Sequence, residues 1–411
     1  RLMKQLTAND LTIAGDPEKA EVIIINTCGF IEAAKEESIN TILNAVELKK
    51  QGKIKKVIVS GCLSERYKQD LEKEIPEVDV FFGTENYEGI VTELGGELKY
   101  ELLGERLLTT PSHFAYLKIS EGCDNPCSFC AIPLIRGGHK SKSIEELVRE
   151  AEFLTANNTK ELIVIGQDTT FYGLDIYGKR RLADLLNGLS RIERLEWIRL
   201  LYAFPSHFPE DVIEVIANNP KLCKYIDMPL QHISDNVLKS MRRGITSRKT
   251  REVLADIKNR IPDITLRTTF IVGYPAETEK DFNELCDFVR EFKFDRIGAF
   301  TYSVEENTPA FILGDPVPQE VKEERRSILM EIQKDISHEK NQALIGKNIR
   351  VLVDGFEGNA GEGFYVARSA KDAPEVDGEI LIPAAANLKI GEFYDASVYD
   401  CNEYDLFANV K

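Results

Sequence analysis

Long apolar runs, secretory features and repeats are absent from this chain of 411 residues. No apolar stretch approaches the roughly 20 residues of a membrane-spanning helix, so the sequence predicts no membrane association. The chain begins Arg1-Leu-Met-Lys-Gln-Leu, without an initiator Met or an apolar signal region, and we expect residues to have been lost upstream. The eight cysteines do not form a dense secreted framework, which favours a reducing cytoplasm. The sequence contains no coiled-coil heptad pattern that would indicate obligate association, so we expect a monomer.

Basic residues are also in short supply. Lys and Arg number 52 against 68 Asp and Glu, which gives a net charge of −16. A nucleic-acid enzyme usually gathers basic residues where phosphates bind, whereas an acidic surface attracts basic proteins. A hydrophobic content of 43% supports packed cores, and the length predicts two or three domains. The charge therefore favours a basic protein partner over a nucleic acid.

Three cysteines lie close together in the run Cys123-Asp-Asn-Pro-Cys127-Ser-Phe-Cys130. Three thiolates on one loop can hold three corners of a cubane iron–sulfur cluster and leave the fourth iron open for chemistry. A zinc site that takes His139 as its fourth ligand is one alternative, although the spacing is unusual. A disulfide loop is another, and it would leave an odd thiol.

Short apolar runs alternate with helical patterns over residues 1–105, which predicts a doubly wound α/β domain. The predicted strands are 22–26, 57–61 and 78–82, and the predicted helices are 31–50 and 64–75. Cys28 and Cys62 each follow the C-terminal end of a predicted strand. In open α/β sheets that edge is where ligands bind. The alternative is that both are ordinary core cysteines, as we expect Cys223, Cys286 and Cys401 to be.

From residue 112 to 345 the alternation becomes regular. Six strands are predicted, at 114–120, 162–167, 197–202, 225–230, 266–272 and 296–302. A capping box of Ser143 and Glu146 marks the start of a helix between the first two strands. Six βα units predict an incomplete TIM-like (βα)6 barrel, followed by a charged helix at 318–344. The cysteine run follows the first strand, on the side where such barrels place their active sites.

Residues 346–411 show short strand patterns with glycine-rich turns. Strands are predicted at 349–353, 363–367, 379–382 and 394–399, which suits a small five-stranded barrel of the OB type. Only six basic residues occur here: Lys347, Arg350, Arg368, Lys371, Lys389 and Lys411. An OB-type barrel that grips RNA is expected to be basic. The acidic excess favours a basic protein as substrate, and a merely solvated surface is the alternative.

The cysteine run with Phe129 resembles the CxxxCxφC signature of the radical S-adenosylmethionine (SAM) enzymes, and nearly the whole chain resembles the methylthiotransferases among them. That family joins an N-terminal cluster domain, a radical-SAM barrel and a C-terminal TRAM barrel. The resemblance implies that Cys123, Cys127 and Cys130 hold a [4Fe-4S] cluster that cleaves SAM. Asn26-Thr-Cys28-Gly-Phe30 and Ser60-Gly-Cys62-Leu63 resemble two of three ligand motifs for an auxiliary [4Fe-4S] cluster. The third family ligand would precede a segment resembling residues 1–6, and this sequence lacks it.

The resemblance also implies contacts to SAM. Gly166-Gln167-Asp168-Thr-Thr170 resembles the segment that contacts the SAM amino group, and Ile271-Val-Gly273-Tyr-Pro275 resembles the adenine-side segment. We therefore expect Gln167, Asp168, Gln231 and Gly273 to bind the cofactor. His232 is expected either to act there or to be a packed, hydrogen-bonded residue. Arg136 and Arg199 are expected either to contact the SAM carboxylate or a cluster sulfide, or to form surface ion pairs.

Three motifs resemble the family branch that modifies a protein, namely Gln167–Thr170, Met228–His232 and Ala367–Gly378. That branch adds a methylthio group to the β-carbon of an aspartate in protein S-twelve of the small ribosomal subunit. The β-carbon hydrogen of aspartate is too weakly acidic for a side-chain base, and a cofactor radical removes it instead. The resemblance implies an external reductant and an exogenous sulfide or polysulfide. The alternatives are a tRNA adenosine methylthiotransferase, an iron–sulfur electron carrier and an RNA-binding scaffold.

Overall fold

The computed structural model describes residues 1–102, 105–359 and 362–411. In chain order they form a small parallel sheet with helices, an open barrel of six parallel strands, and a closed five-stranded barrel. Within these ranges, no helix combines the length and the apolar character that crossing a membrane requires.

The N-terminal part is a three-stranded parallel sheet. Its strands are β1 (Val22–Thr27), β2 (Lys56–Gly61) and β3 (Val80–Phe81), and its helices are α1 (Leu2–Ala8), α2 (Glu32–Lys50), α3 (Cys62–Glu74) and α4 (Tyr87–Glu93). The α/β layering predicted from the sequence is present. The strands lie in the order β1-β2-β3, so the described sheet does not reverse direction as a doubly wound sheet does. Each βα unit adds its strand on the same side of the preceding one.

The six-stranded barrel confirms the predicted (βα)6 architecture. Its strands are β4 (Phe114–Lys118), β7 (Glu161–Ile165), β8 (Trp197–Leu200), β9 (Leu222–Asp227), β10 (Thr265–Val272) and β11 (Arg296–Thr301). They pair in parallel and in chain order, and the strand Leu222–Asp227 begins earlier than predicted. A short hairpin, β5 (Ser120–Glu121) with β6 (Lys140–Ser141), brackets the cysteine run. Helices α5 to α12 lie between the strands: Ile132–Arg136, Ile144–Ala156, Leu174–Tyr177, Leu182–Ser190, Glu210–Asn218, Asp235–Ser240, Ser247–Arg260 and Glu279–Phe292.

Helix α13 (Gln319–Gln342) leads into the closed barrel. The barrel strands are β12 (Asn348–Asn359), β13 (Glu362–Ser369), β14 (Ile380–Pro383), β15 (Phe393–Cys401) and β16 (Leu406–Val410). They close in the order β12-β13-β14-β16-β15, which confirms the predicted five-stranded barrel. The sequence patterns indicated four of these strands, and the last strand completes the ring between β14 and β15.

The small barrel plugs the N-terminal end of the six-stranded barrel. Leu352 and Ala373 belong to one buried apolar cluster with Trp197 and Tyr225. Arg296 donates to Asp372 over 2.8 Å, and the Tyr225 hydroxyl donates to Asp377 over 2.6 Å. The segment 367–378 is therefore largely occupied in holding the two barrels together.

Arg199 belongs to the same plug. Its side chain is fully buried, pairs with Glu161 at 2.8 Å and donates to the Ala370 carbonyl at 2.8 Å. The expected roles at the SAM site or in a surface ion pair are both wrong for this residue. Because Arg199 faces the plugged end, it lies away from the strand ends that carry the cysteines.

Candidate active site

The cysteine run lies at the C-terminal end of β4, where the barrel fold places chemistry. Its middle is anchored to the chain segment after α10. Ser128 donates from its backbone N–H to the Met241 carbonyl at 3.0 Å and from its hydroxyl to the Ser240 carbonyl at 2.8 Å. Cys127 is 9% exposed, whereas Cys123 and Cys130 are half-buried. The three thiols are thus presented from a loop whose backbone is held by a distant part of the barrel.

Two side chains donate hydrogen bonds to these sulfurs, and the sequence patterns indicated neither. Asn125 Nδ2 lies 3.4 Å from Cys123 Sγ, and Arg243 Nη1 lies 3.2 Å from Cys127 Sγ. Burial, together with the neighbouring thiols Cys127 and Cys123, raises the pKa of Cys130 to about 12, while Arg243 opposes this rise. Burial also raises the pKa of Cys123. Cluster binding supplies the positive charge that deprotonated thiolates need.

The donor set on this loop fits a cluster better than a disulfide or a zinc ion. All eight cysteines are free thiols. His139 Nε2 is hydrogen-bonded to Ser141 Oγ at 3.1 Å, so that ring nitrogen is engaged away from the thiols. Three thiolates without a fourth protein ligand match a cubane with one open iron.

Cys28 and Cys62 lie at the matching edge of the N-terminal sheet. Thr27 pairs with Gly61 in the β1–β2 register, so each cysteine follows a paired strand residue. A Cβ on Gly29 would lie 2.7 Å from Leu63 Cα, so only glycine allows the two cysteine-bearing segments to pack this closely. Cys28 is exposed and Cys62 is half-buried, which places both thiols near solvent and not in a core.

Arg136 joins the two sets of cysteines. It is the last residue of α5, the helix that begins at Ile132, shortly after Cys130. Its guanidinium donates to Cys62 Sγ at 3.4 Å and pairs with Glu121 at 3.1 Å. Arg136 therefore lies in a charge network between the N-terminal domain and the barrel, and not in a surface ion pair. Its expected contact to the SAM carboxylate or a cluster sulfide stays a prediction.

A second contact fixes the N-terminal domain on top of the barrel. Arg66 of α3 donates to the Gly29 carbonyl and to Glu305 Oε2, both at 2.9 Å. Lys35 of α2 reaches the same carboxylate at 3.5 Å. Glu305 follows β11 and is 3% exposed. We call Arg66, Lys35 and Glu305 the interdomain clamp. It ties the backbone beside Cys28 to the strand ends of the barrel.

The residues expected to contact SAM lie at the same end of the barrel, but they differ in their hydrogen bonds to other side chains. Gln167 Nε2 contacts Glu121 at 3.3 Å, and its buried Oε1 has no hydrogen-bond partner among the described residues. Asp168 is 1% exposed and accepts from Thr170 and from Asn125 Nδ2, the latter at 2.7 Å. Asp168 thus positions the cysteine loop through Asn125.

Gln231 and Gly273 follow the next strands. Gln231 has a φ of 73°, its backbone bridges to β10, and its buried Oε1 has no partner in the described part of the chain. Gly273 has a φ of 74°, and a Cβ there would lie 2.3 Å from Lys322 Cγ. Packing against α13 and the positive φ both require glycine here, and its expected role in binding SAM stays a prediction.

His232 is a packed residue. It is fully buried, Nδ1 accepts from the Ser234 N–H at 3.0 Å, and burial lowers its pKa to about 3. Of the two expectations for this residue, the structure favours the packed, hydrogen-bonded one.

Family profiles match three separate stretches of the chain. Residues 1–83 match the uncharacterized protein family UPF0004, residues 117–289 match the radical SAM superfamily, and residues 345–410 match the TRAM domain. These stretches fall on the three parts of the structure.

Full-length relatives are more specific. The chain is 55% identical to the ribosomal protein uS12 methylthiotransferase RimO of Christiangramia forsetii, over 99% of this chain and 89% of that protein. It is 52% identical to the RimO of Chloroherpeton thalassium, over 100% of this chain and 94% of that protein. A solved radical SAM methyltransferase, TsrM from Kitasatospora setae, shares the fold with a TM-score of 0.54 and 14% identity, over 72% of this chain and 64% of that one.

Proposed function

Since this chain belongs to the RimO family of ribosomal protein uS12 methylthiotransferases, we propose that it transfers a methylthio group to the β-carbon of an aspartate in uS12. The observation that carries the proposal is identity of about half of all residues over the whole chain, across the N-terminal domain, the radical-SAM barrel and the TRAM barrel. We propose domain limits at 1–105, 112–345 and 346–411.

The cofactors are SAM and [4Fe-4S] clusters, which together supply the substrate radical and the methylated sulfur when bound. Cys123, Cys127 and Cys130 would hold the cluster that cleaves SAM. Cys28 and Cys62 would hold the auxiliary cluster together with a third ligand that is not among these 411 residues. Exogenous sulfide or polysulfide would supply the sulfur.

The residues around the cysteines would orient this chemistry. Asn125 and Asp168 hold the loop of the first cluster. Gln167 and Gln231 each have a buried amide oxygen that lacks a partner among the described residues, and these oxygens would accept from the SAM amino group. Arg136 and the interdomain clamp set the separation of the two cysteine sets. The substrate aspartate must reach both, so its β-carbon would enter between the barrel mouth and the N-terminal domain.

The surroundings of the reaction follow from the same proposal. The substrate would be basic uS12, free or within the small subunit, and the electron would come from an external reductant. We propose a monomer that acts in the cytoplasm and does not modify tRNA. The net charge of −16 supports the protein substrate, because it opposes binding to a polyphosphate and favours encounter with a basic protein.

Mass spectrometry of ribosomal proteins and tRNA nucleosides, with and without the gene, tests this function. We expect uS12 from the deletion strain to be lighter by the mass of a methylthio group less one hydrogen, with tRNA nucleosides unchanged. Restoration by the gene would assign the activity to this protein. Loss of methylthioadenosine from tRNA together with an unchanged uS12 mass would identify the tRNA enzyme instead.

A further inference from the structure

Arg243 is a buried arginine at the cysteine loop whose charge the proposed function does not use. The residue is 4% exposed, and it lies after α10, far along the chain from the loop. One terminal nitrogen, Nη1, is 3.2 Å from Cys127 Sγ. The other, Nη2, donates to the Pro229 carbonyl at 2.6 Å. The guanidinium also stacks over the Phe204 ring, at 4.1 Å from its centroid.

The charge of Arg243 lacks a carboxylate partner within the described ranges. Other buried arginines are paired with carboxylates, Arg199 with Glu161 and Arg368 with Glu161 and Asp354. Burying a cation without an anion is costly. Among the described residues, the only side-chain atom that accepts from Arg243 is the sulfur of Cys127, so the anion that compensates this charge is expected on the cysteine loop itself.

Three thiolates that hold a cluster would supply that anion, and reduction of the cluster adds a further negative charge. Hydrogen bonds to the ligand sulfurs and nearby positive charge favour the reduced state and so raise the reduction potential. We propose that Arg243 is a positioning residue that orients the Cys127 thiolate and raises the reduction potential of the cluster on this loop. The inference rests on the proposed function, since it takes the loop to hold that cluster.

The test is spectroelectrochemical titration of the reconstituted protein, monitored by electron paramagnetic resonance. In Arg243→Met we expect the equilibrium constant for one-electron reduction to fall about tenfold, which is a shift of about 59 mV to more negative potential. Arg243→Lys, which keeps the charge, should recover part of the shift. The matched control is Arg242→Met, which removes an adjacent but exposed positive charge and should leave the potential unchanged.

Arg243→Gln is a second variant in case Arg243→Met does not fold. Its side-chain amide can still donate a hydrogen bond to the Cys127 sulfur, but it carries no charge. It should shift the potential in the same direction as Met but by less. A potential that does not differ between Arg243→Met and Arg242→Met would overturn the inference. Loss of the fold in both the Met and Gln variants would also overturn it, because Arg243 would then be only structural. Failure of the unmodified protein to assemble a [4Fe-4S] cluster would instead contradict the proposed function.

Discussion

Cys127 is the most buried thiol of the cysteine loop, and it accepts the hydrogen bond from Arg243. Single residues of this kind are where the proposed chemistry can be tested without disturbing the fold. The sequence placed the three thiols from their spacing alone. It gave no sign of Asn125 or Arg243, because a donor to sulfur can come from any part of the chain that packs nearby.

Replacing Cys127 by Ala should abolish SAM cleavage. Two thiolates cannot hold the cubane as three do, and the open iron would be lost with it. Deoxyadenosine formation under reducing, anaerobic conditions measures the activity, and iron and sulfide analysis measures the cluster. Cys401→Ala, at a half-buried thiol of the small barrel, is the control and should keep both. Undiminished deoxyadenosine formation by Cys127→Ala would contradict the assignment of the SAM-cleaving cluster to this loop.

His232 should affect the pH dependence of stability and not that of catalysis. Its pKa is lowered from the ordinary 6.5 to about 3 by burial, so below pH 6.5 the unfolded chain binds a proton that the folded chain does not. Stability contributed by the neutral ring is thus present above pH 6.5 and falls as the pH drops towards 3. His232→Asn, which keeps an acceptor for the Ser234 N–H, should lose less stability between pH 6.5 and 5.

Urea unfolding across that pH range measures the effect. His207→Asn, at an exposed histidine, is the control and should show the same pH dependence as the unmodified protein. The pH profile of deoxyadenosine formation should be the same in all three proteins. An inflection that disappears only in His232→Asn would mean that this histidine takes part in the reaction.

The sequence was most informative about where helices and strands lie along the chain. The capping box of Ser143 and Glu146 is present at the start of α6, with the Glu146 carboxylate 2.9 Å from the Ser143 N–H. All six barrel strands were indicated by their apolar runs. These signals are local, because caps, periodicity and turns depend on neighbours within a few residues.

Ser143→Ala should destabilise the protein by about 1 kcal/mol, the usual effect of losing an N-cap hydrogen bond. Urea unfolding of the apo-protein measures it. Ser190→Ala is the matched control, because that hydroxyl makes only an exposed contact to the Asn187 carbonyl, and the change should stay within about 0.5 kcal/mol. Equal effects of the two substitutions would mean that the N-cap hydrogen bond adds no more to the free energy of unfolding than an exposed surface contact.

At the scale of the whole molecule, two junctions organise the site. The small barrel plugs one end of the central barrel, and the interdomain clamp fixes the N-terminal domain at the other. The plug changes how the acidic composition of residues 346–411 is interpreted. Asp354, Asp372 and Asp377 face arginine or histidine side chains at the junction, so they are not available to attract a basic substrate.

Glu305→Gln should uncouple SAM cleavage from transfer of the methylthio group. Removing the buried charge leaves Arg66 and Lys35 without their shared partner, and small misplacements of reacting groups are costly. We expect deoxyadenosine to form still, with methylthio product per deoxyadenosine lowered about tenfold. Chromatography of deoxyadenosine and mass spectrometry of uS12 give this ratio. Glu306→Gln, at the exposed neighbouring carboxylate, should keep the original ratio. Parallel loss of both products in Glu305→Gln would point to general destabilisation.

The sequence by itself determined the three-part architecture, the barrel type, the loop of three thiols and the thiols at the two strand ends. Each of these depends on residues that are neighbours in the chain. Only the tertiary structure decided that Arg136 meets Cys62, that Arg66 meets Glu305 and that Arg199 is part of a plug. Those pairs are far apart in sequence, and they come together only because separately formed elements pack against one another. Charge and spacing define which contacts are possible, and packing selects among them.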